Sequence, residues 1–331
     1  MRIAIVGAGS WGSALAHTLG AGPHEVALWA RRPELAEIIA RTRRNDVYMP
    51  GISLHPSVSV HRRLRDALSG ADIAVLAVPT HGLRAITESC APMLPPQCVV
   101  ASAAKGFEAG TSMTMTQVIA DVLDERHGRR VAAMSGPNIA PEVARGLPAA
   151  IVVAAAEESV SALVRDACTG PRLRFYSSCD VIGVEFAGAL KNIVAIAAGA
   201  CDGMRVGDNA KAALITRGIR EMSRLGVVAG AGEATFAGLA GVGDCFVTCT
   251  SPVSRNRRLG EAIGRGRSLV EATEGSAMVV EGVNATRVAR ALAERHHVPM
   301  PIADEVHAVL FEGKAVGDAM RDLMSRDPGG E

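Results

Sequence analysis

The run Gly7-Ala8-Gly9-Ser10-Trp11-Gly12, close behind the first methionine, constrains the fold more than any other part of this chain. It follows a short apolar, β-branched stretch, Arg2–Val6, and opens a helix-like segment, Gly12–Leu19. In that setting the first glycine permits a tight turn, and the second lets backbone approach a pyrophosphate. The third lets the helix lie close on the strand. The N–H groups at the helix start then favour negative charge. A bare GxGxxG is a weak signal, but between a strand and a helix it is a strong one. Gly7, Gly9 and Gly12 are therefore candidate dinucleotide-binding residues.

The rest of the first half supports that setting. Further strand-like runs occur at Glu25–Trp29, Ser57–His61, Ile73–Val78, Val99–Ser102, Val131–Met134 and Ala150–Ala154, with helix-like segments between them. This alternation predicts βαβ units and a parallel sheet covered on both faces, an α/β fold of the Rossmann-type, doubly wound kind. From about Asp180 the β-runs stop, Ala and Gly rise, and apolar spacing becomes helical. The expected organisation is a nucleotide-binding domain over 1–180 and an all-helical domain over 181–331. The tail after Ser325 is polar and rich in Gly and Pro, so fraying is expected there.

Composition excludes several classes of partner. Thirty-five basic against 34 acidic side chains leave a net charge of +1, which offers no general field for nucleic acid or an anionic membrane. Any anion must be held by a local arrangement. The seven cysteines are scattered, odd in number and without a CxxC pair, unlike a disulfide framework or a zinc knuckle. No His/Asp/Cys ligand cluster is evident, so no metal is expected. No leader peptide is read at the N-terminus. No charge-free apolar run approaches the ~20 residues needed to span a bilayer, because Glu185 and Lys191 interrupt the most apolar stretch, Val181–Cys201. The expectation is a soluble, reduced, cytoplasmic protein without membrane insertion.

Two further features point to chemistry. At the end of the second strand, where an NAD-specific site would place a carboxylate on the ribose hydroxyls, the chain has Ala30-Arg31-Arg32. Two guanidinium groups suit a 2′-phosphate, so NADPH is the expected cofactor, with NADH as a second acceptable one. Lys191 lies in a helix that is apolar on almost every side, where an unpartnered lysine is rare. A desolvated lysine would have a depressed pKa and exchange a proton near neutral pH. A lysine snorkelling to solvent from a helix edge is the alternative that these residues leave open.

The stretch Val184–Gly203, containing Glu-Phe-Ala-Gly-Ala-Leu-Lys191-Asn-Ile-Val, resembles the NAD(P)-dependent glycerol-3-phosphate dehydrogenase family. So do Gly207–Arg217, the N-terminal glycine run, Ala104-Lys105-Gly106, Ser135-Gly136-Pro137, Thr235–Asp244, Ser254-Arg255-Asn256-Arg257 and Val280-Glu281-Gly282. The resemblance spans nearly the whole chain. It implies interconversion of dihydroxyacetone phosphate and sn-glycerol 3-phosphate, with net reduction feeding glycerophospholipid synthesis. Lys191 would be the proton donor in reduction and acceptor in oxidation. Substrate contacts would come from Lys105, Gly136, Asn138, Lys191, Asp244, Ser254, Arg255 and Asn256. Ser10, Trp11, Lys105, Ala140, Arg255, Val279 and Glu281 would touch the cofactor, and a homodimer is a reasonable expectation. Asn138-Ile139 departs from the family's usual Ser or Thr followed by Phe, which implies altered geometry at that contact. Two rivals remain at this point: a ketopantoate-type or β-hydroxyacid dehydrogenase, and a non-catalytic nucleotide sensor that keeps the fold.

Overall fold

The computed structural model describes residues 1–274 and 279–326. The tail expected to fray lies, from residue 327, outside the described residues. The chain divides into two compact units, one of Met1–Glu108 and Met113–Glu185, the other of Ala109–Ser112 and Phe186–Glu331.

The first unit is built on eight strands: β1 (Arg2–Val6), β2 (Glu25–Trp29), β3 (Ser59–His61), β4 (Ile73–Leu76), β5 (Val99–Ser102), β6 (Val131–Ser135), β7 (Ala149–Ala155) and β8 (Leu173–Ser178). Their order in the sheet is β8-β7-β6-β5-β4-β1-β2-β3. The six strands β3-β2-β1-β4-β5-β6 are parallel and in the Rossmann order, with the chain switching direction between β1 and β4. Strand residues alternate between two cores. Ile3 and Ile5 join helices α1 (Ser10–Gly20), α2 (Pro33–Thr42) and Glu158–Cys168 on one face. Ala4 and Val6 join helices Leu83–Cys90 and Met115–Val122 on the other. Both faces are dry, which is why these strands read as near-continuous apolar runs.

The expected all-parallel sheet needs correction at one edge. Strand β7 runs antiparallel to β6, and β8 is parallel to β7. Residues 136–148 connect β6 to β7 with only one short helix, Ala140–Ala144. A parallel return needs a longer crossover, usually a full helix. Strand β8, with burial that alternates along Leu173-Arg174-Phe175-Tyr176, is an edge strand with one wet face that the apolar-run reading missed. A small antiparallel hairpin pairing Arg44–Asn45 with Met49–Ser53 was also not foreseen.

The second unit is helical. Its longer elements are α3 (Val181–Met204, whose first turn belongs to the first unit), α4 (Asp208–Val228), α5 (Asp244–Thr250), α6 (Arg255–Gly264), α7 (Glu281–His296), α8 (Pro301–Phe311) and α9 (Val316–Ser325). By length and composition the 24-residue α3 could cross a membrane, yet 89% of its most apolar stretch is buried inside the protein. It is a core helix. Helix α6 lies against it so closely that a Cβ at Gly260 would sit 1.9 Å from the Ile196 carbonyl oxygen. Asp202 near the end of α3 pairs with Lys211 of α4 at 2.8 Å and with Arg257 of α6 at 2.7 Å, linking three helices by charge.

Candidate active site

The glycine run forms the turn from β1 into α1, and each glycine has its own reason. Gly7 has φ +119°, which side-chain-bearing residues rarely adopt, and a Cβ there would lie 2.6 Å from the Ala77 carbonyl oxygen. At Gly12 a Cβ would lie 1.9 Å from the Gly7 carbonyl oxygen, so only hydrogen fits. Gly9 differs: a Cβ there would meet nothing within 4 Å. Its backbone at φ −74° would suit any residue, and it caps α1 without a side-chain hydrogen bond. The protein itself therefore demands Gly7 and Gly12, whereas at Gly9 it leaves open space beside the free N–H groups of a helix start. That is the cradle a pyrophosphate needs, and the residues present fit a dinucleotide.

Other expected cofactor residues gather around this turn. Ser10 spends its hydroxyl on the Tyr48 carbonyl at 2.6 Å. Trp11 and Ala140 pack on the same small apolar cluster with Ala14, Met49 and Ala144. Arg31 and Arg32 are both exposed, just beyond β2. The Arg32 guanidinium stacks 5.7 Å from the Tyr48 ring centroid and donates to its hydroxyl at 3.4 Å, so it is held in place from the hairpin.

Lys105, on the loop after β5, donates from Nζ to the Gly136 carbonyl at 3.0 Å and to Asn138 Oδ1 at 3.1 Å. Three residues distant in sequence thus meet at the carboxyl ends of β5 and β6, where ligands bind in open α/β sheets. A Cβ at Gly136 (φ +133°) would lie 2.8 Å from the Ala150 carbonyl oxygen, so the β6–β7 crossing fixes that glycine.

In the second unit Lys191 is buried, 5% exposed, and not alone. Its Nζ donates to Asp244 Oδ1 at 2.5 Å and to Thr248 Oγ1 at 2.8 Å. Asp244, 2% exposed, opens α5 directly after a π-helical turn, Leu239–Gly243. Lys191 does not snorkel to solvent: a buried carboxylate compensates the ammonium, and an uncompensated charge at that depth would be very costly. The glycines before Asp244 form a tight helical turn, so the aspartate sits on a helix and not in an open loop. Thr248 was not foreseen. Its spacing of four from Asp244 puts both on one helix face, and its hydroxyl also donates to the Asp244 carbonyl at 2.6 Å.

The Ser-Arg-Asn block is brought together with Val279 and the start of α7. Ser254 caps α6, accepting from the Arg257 N–H at 3.3 Å. Arg255 donates to the Val279 carbonyl at 2.7 Å, and Glu281 opens α7 two residues later. Asn256 also takes part in contacts within the helical unit. It is buried, with its Nδ2 on Asn192 Oδ1 at 2.8 Å and its Oδ1 on the Gly282 N–H at 3.0 Å. Its amide braces α3, α6 and α7 from within. Consecutive residues of α3 thus serve two clusters, Lys191 toward α5 and Asn192 toward α6.

Cys245 and Cys249 lie buried with sulfurs 3.9 Å apart, and none of the seven cysteines forms a disulfide. The neighbouring Cys245 sulfur, and burial after it, push the Cys249 thiol well up, away from nucleophile chemistry. Among the described residues no group of three or more His, Cys, Asp or Glu is placed to hold a metal ion.

Comparison with known proteins shows the family of the chain. Residues 2–161 match the model for the NAD-dependent glycerol-3-phosphate dehydrogenase N-terminus, and residues 180–321 match the model for its C-terminus. A glycerol-3-phosphate dehydrogenase (NAD(P)+) of Moorella thermoacetica is 48% identical over 325 residues, covering 98% of this chain and 96% of that protein. One from Koribacter versatilis is 46% identical over 327 residues, covering 98% and 97%. The crystal structure of glycerol-3-phosphate dehydrogenase from Coxiella burnetii superposes with a TM-score of 0.92 at 36% identity, covering 98% of this chain and 99% of that one. A glycine cradle at a helix start, a lysine on the neighbouring sheet edge and a buried lysine–aspartate pair thus occur in a chain that belongs, over nearly its whole length, to the NAD-dependent glycerol-3-phosphate dehydrogenase family.

Proposed function

We propose that this protein is a cytoplasmic sn-glycerol-3-phosphate dehydrogenase that reversibly reduces dihydroxyacetone phosphate with NAD(P)H, acts as a homodimer and supplies glycerophospholipid synthesis. The observation that carries the reading is the buried Lys191–Asp244–Thr248 set in a chain that matches enzymes of that name end to end. When bound, the nicotinamide supplies the hydride. Lys191 Nζ gives a proton to the carbonyl oxygen of the triose as the alcohol forms, and takes it back in the reverse direction. Asp244 and Thr248 hold that nitrogen in one position, so little reorganisation is needed during reaction. Lys105 and Asn138, bonded to each other beside Gly136, contribute substrate contacts. Arg255 serves the phosphate as a planar fork, with Ser254 and Asn256 beside it, and Asn256 also braces the helix that carries them. The backbone of Gly7–Gly12 takes the pyrophosphate, with Ser10, Trp11, Ala140, Val279 and Glu281 completing the cofactor contacts. Arg31 and Arg32 favour the 2′-phosphate of NADPH over NADH.

A spectrophotometric panel tests the reading: dihydroxyacetone phosphate, ketopantoate and other 2-keto acids, each with NADPH and with NADH. Oxidation of NADPH is expected with the triose phosphate alone and should be faster than with NADH at limiting cofactor. Turnover of the keto acids in its place would discard the assignment.

A further inference from the structure

The hairpin that pairs Arg44–Asn45 with Met49–Ser53 reaches the backbone of the glycine turn through the Asn45 side chain. Asn45 is 2% exposed, and its Nδ2 donates to the Ala8 carbonyl at 2.9 Å and to Ser13 Oγ at 2.8 Å. The orientation of the amide is fixed chemically, because the Ala8 carbonyl can only accept. Both hydrogens of Nδ2 are used. They land on the two ends of the first turn of α1: Ala8 precedes the capping residue Gly9, and Ser13 closes the turn by donating its N–H to the Gly9 carbonyl at 2.9 Å.

The consequence follows from peptide geometry. The Ala8–Gly9 peptide is planar and trans, so its C=O and N–H point in opposite directions. Holding the Ala8 oxygen against Asn45 turns the Gly9 N–H the other way. Among the described residues that N–H has no acceptor, and the space beside Gly9 is empty. An ionised aspartate would turn this contact around, since it offers only acceptors to a carbonyl.

We infer that Asn45 is a positioning residue for the dinucleotide, aiming the Gly9 N–H at the pyrophosphate by gripping the opposite side of the same peptide. The inference rests on the reading of the glycine turn as the dinucleotide site. It touches no atom of the ligand, so its effect is on cofactor affinity rather than on the chemical step.

The test compares NADPH with adenosine 2′-monophosphate, which lacks the pyrophosphate, by direct titration of the purified protein and its variants. Asn45→Ala is expected to weaken NADPH about 10-fold, the value of roughly one lost oriented hydrogen bond, while adenosine 2′-monophosphate binding stays within about 2-fold. Asn45→Asp, nearly the same shape, is expected to weaken NADPH at least as much, and carries the test if the alanine variant fails to fold. Turnover at saturating NADPH should stay within about 2-fold of the parent. Unchanged NADPH affinity in a folded variant overturns the inference, and so does equal weakening of both ligands, which would mean a general loosening. Failure of the parent protein to bind NADPH overturns the dinucleotide reading, and this inference with it.

Discussion

The two units make their binding chemistry from different materials. In the first, the ligand cradle is mostly backbone: a turn of three glycines at a helix start, with charge supplied by partial dipoles. In the second, it is side chains: a buried ion pair, a hydroxyl, an arginine and a pair of interlocked amides. A backbone cradle is local, so six consecutive residues specify it. A side-chain constellation is long-range, since Lys191 and Asp244 are 53 residues apart, and depends on helices packing in one register. The first kind should fail through shape and the second through uncompensated charge.

The largest expected effect tests that contrast in the second unit. Lys191→Ala should lower kcat by about 10²–10⁴-fold, the range for losing a general acid, with NADPH affinity nearly intact. Asp244→Ala should also destabilise the fold by about 3–5 kcal/mol in thermal or denaturant unfolding, because it strands a buried ammonium. Normal turnover in the lysine variant, or an unchanged midpoint in the aspartate variant, would break the comparison on the charge side.

On the backbone side, Gly12→Ala and Gly9→Ala should separate. The first forces a methyl onto the Gly7 carbonyl and should destabilise by about 1–3 kcal/mol. The second has open space and an ordinary φ, so the fold should keep its stability while NADPH affinity drops. Equal stability losses for the two would show that Gly9 serves the fold and not the ligand.

A further effect, of pH, concerns a buried carboxyl held mainly by backbone N–H groups. Glu221, 3% exposed in α4, accepts the Ile302 N–H at 2.9 Å at the start of α8, and burial pushes its carboxyl up to about 7. The folded state thus prefers the protonated form. Its contribution to stability is complete below the ordinary carboxylate pKa of 4.5 and is lost as pH rises through 7. The loss is on the order of 3 kcal/mol. Glu221→Gln should flatten that part of the stability–pH curve. Parallel curves for parent and variant would refute the assignment. Lys191, with a carboxylate beside it, and Glu221, held mainly by backbone N–H groups at a helix start, thus show two ways of placing an ionisable group in the same helical unit.

What could be read in advance followed the same division. The cores of β1, β2, β4 and β5 were visible as apolar runs because those strands are dry on both faces. Strand β8 was not, because one of its faces is wet and half its residues are polar or charged. The hairpin escaped because Arg44-Asn45 is too short to show any period, although it carries Asn45 and Tyr48, which hold the glycine turn and Arg32. The direction of β7 escaped because apolar patterning carries no sign. The contacts of Asn256 with Asn192 and Gly282 escaped because they join residues 64 and 26 positions apart.

The sequence by itself determined the α/β-then-α organisation, the glycine turn and the identity of a lysine in an apolar helix. Those are local properties, set by φ, side-chain size and hydrophobic period over a few residues. Only the tertiary structure decided what that lysine meets. A buried charge is defined by partners that arrive from other helices, and Asp244, Thr248 and the Asn192–Asn256 brace become neighbours only once the helices have packed.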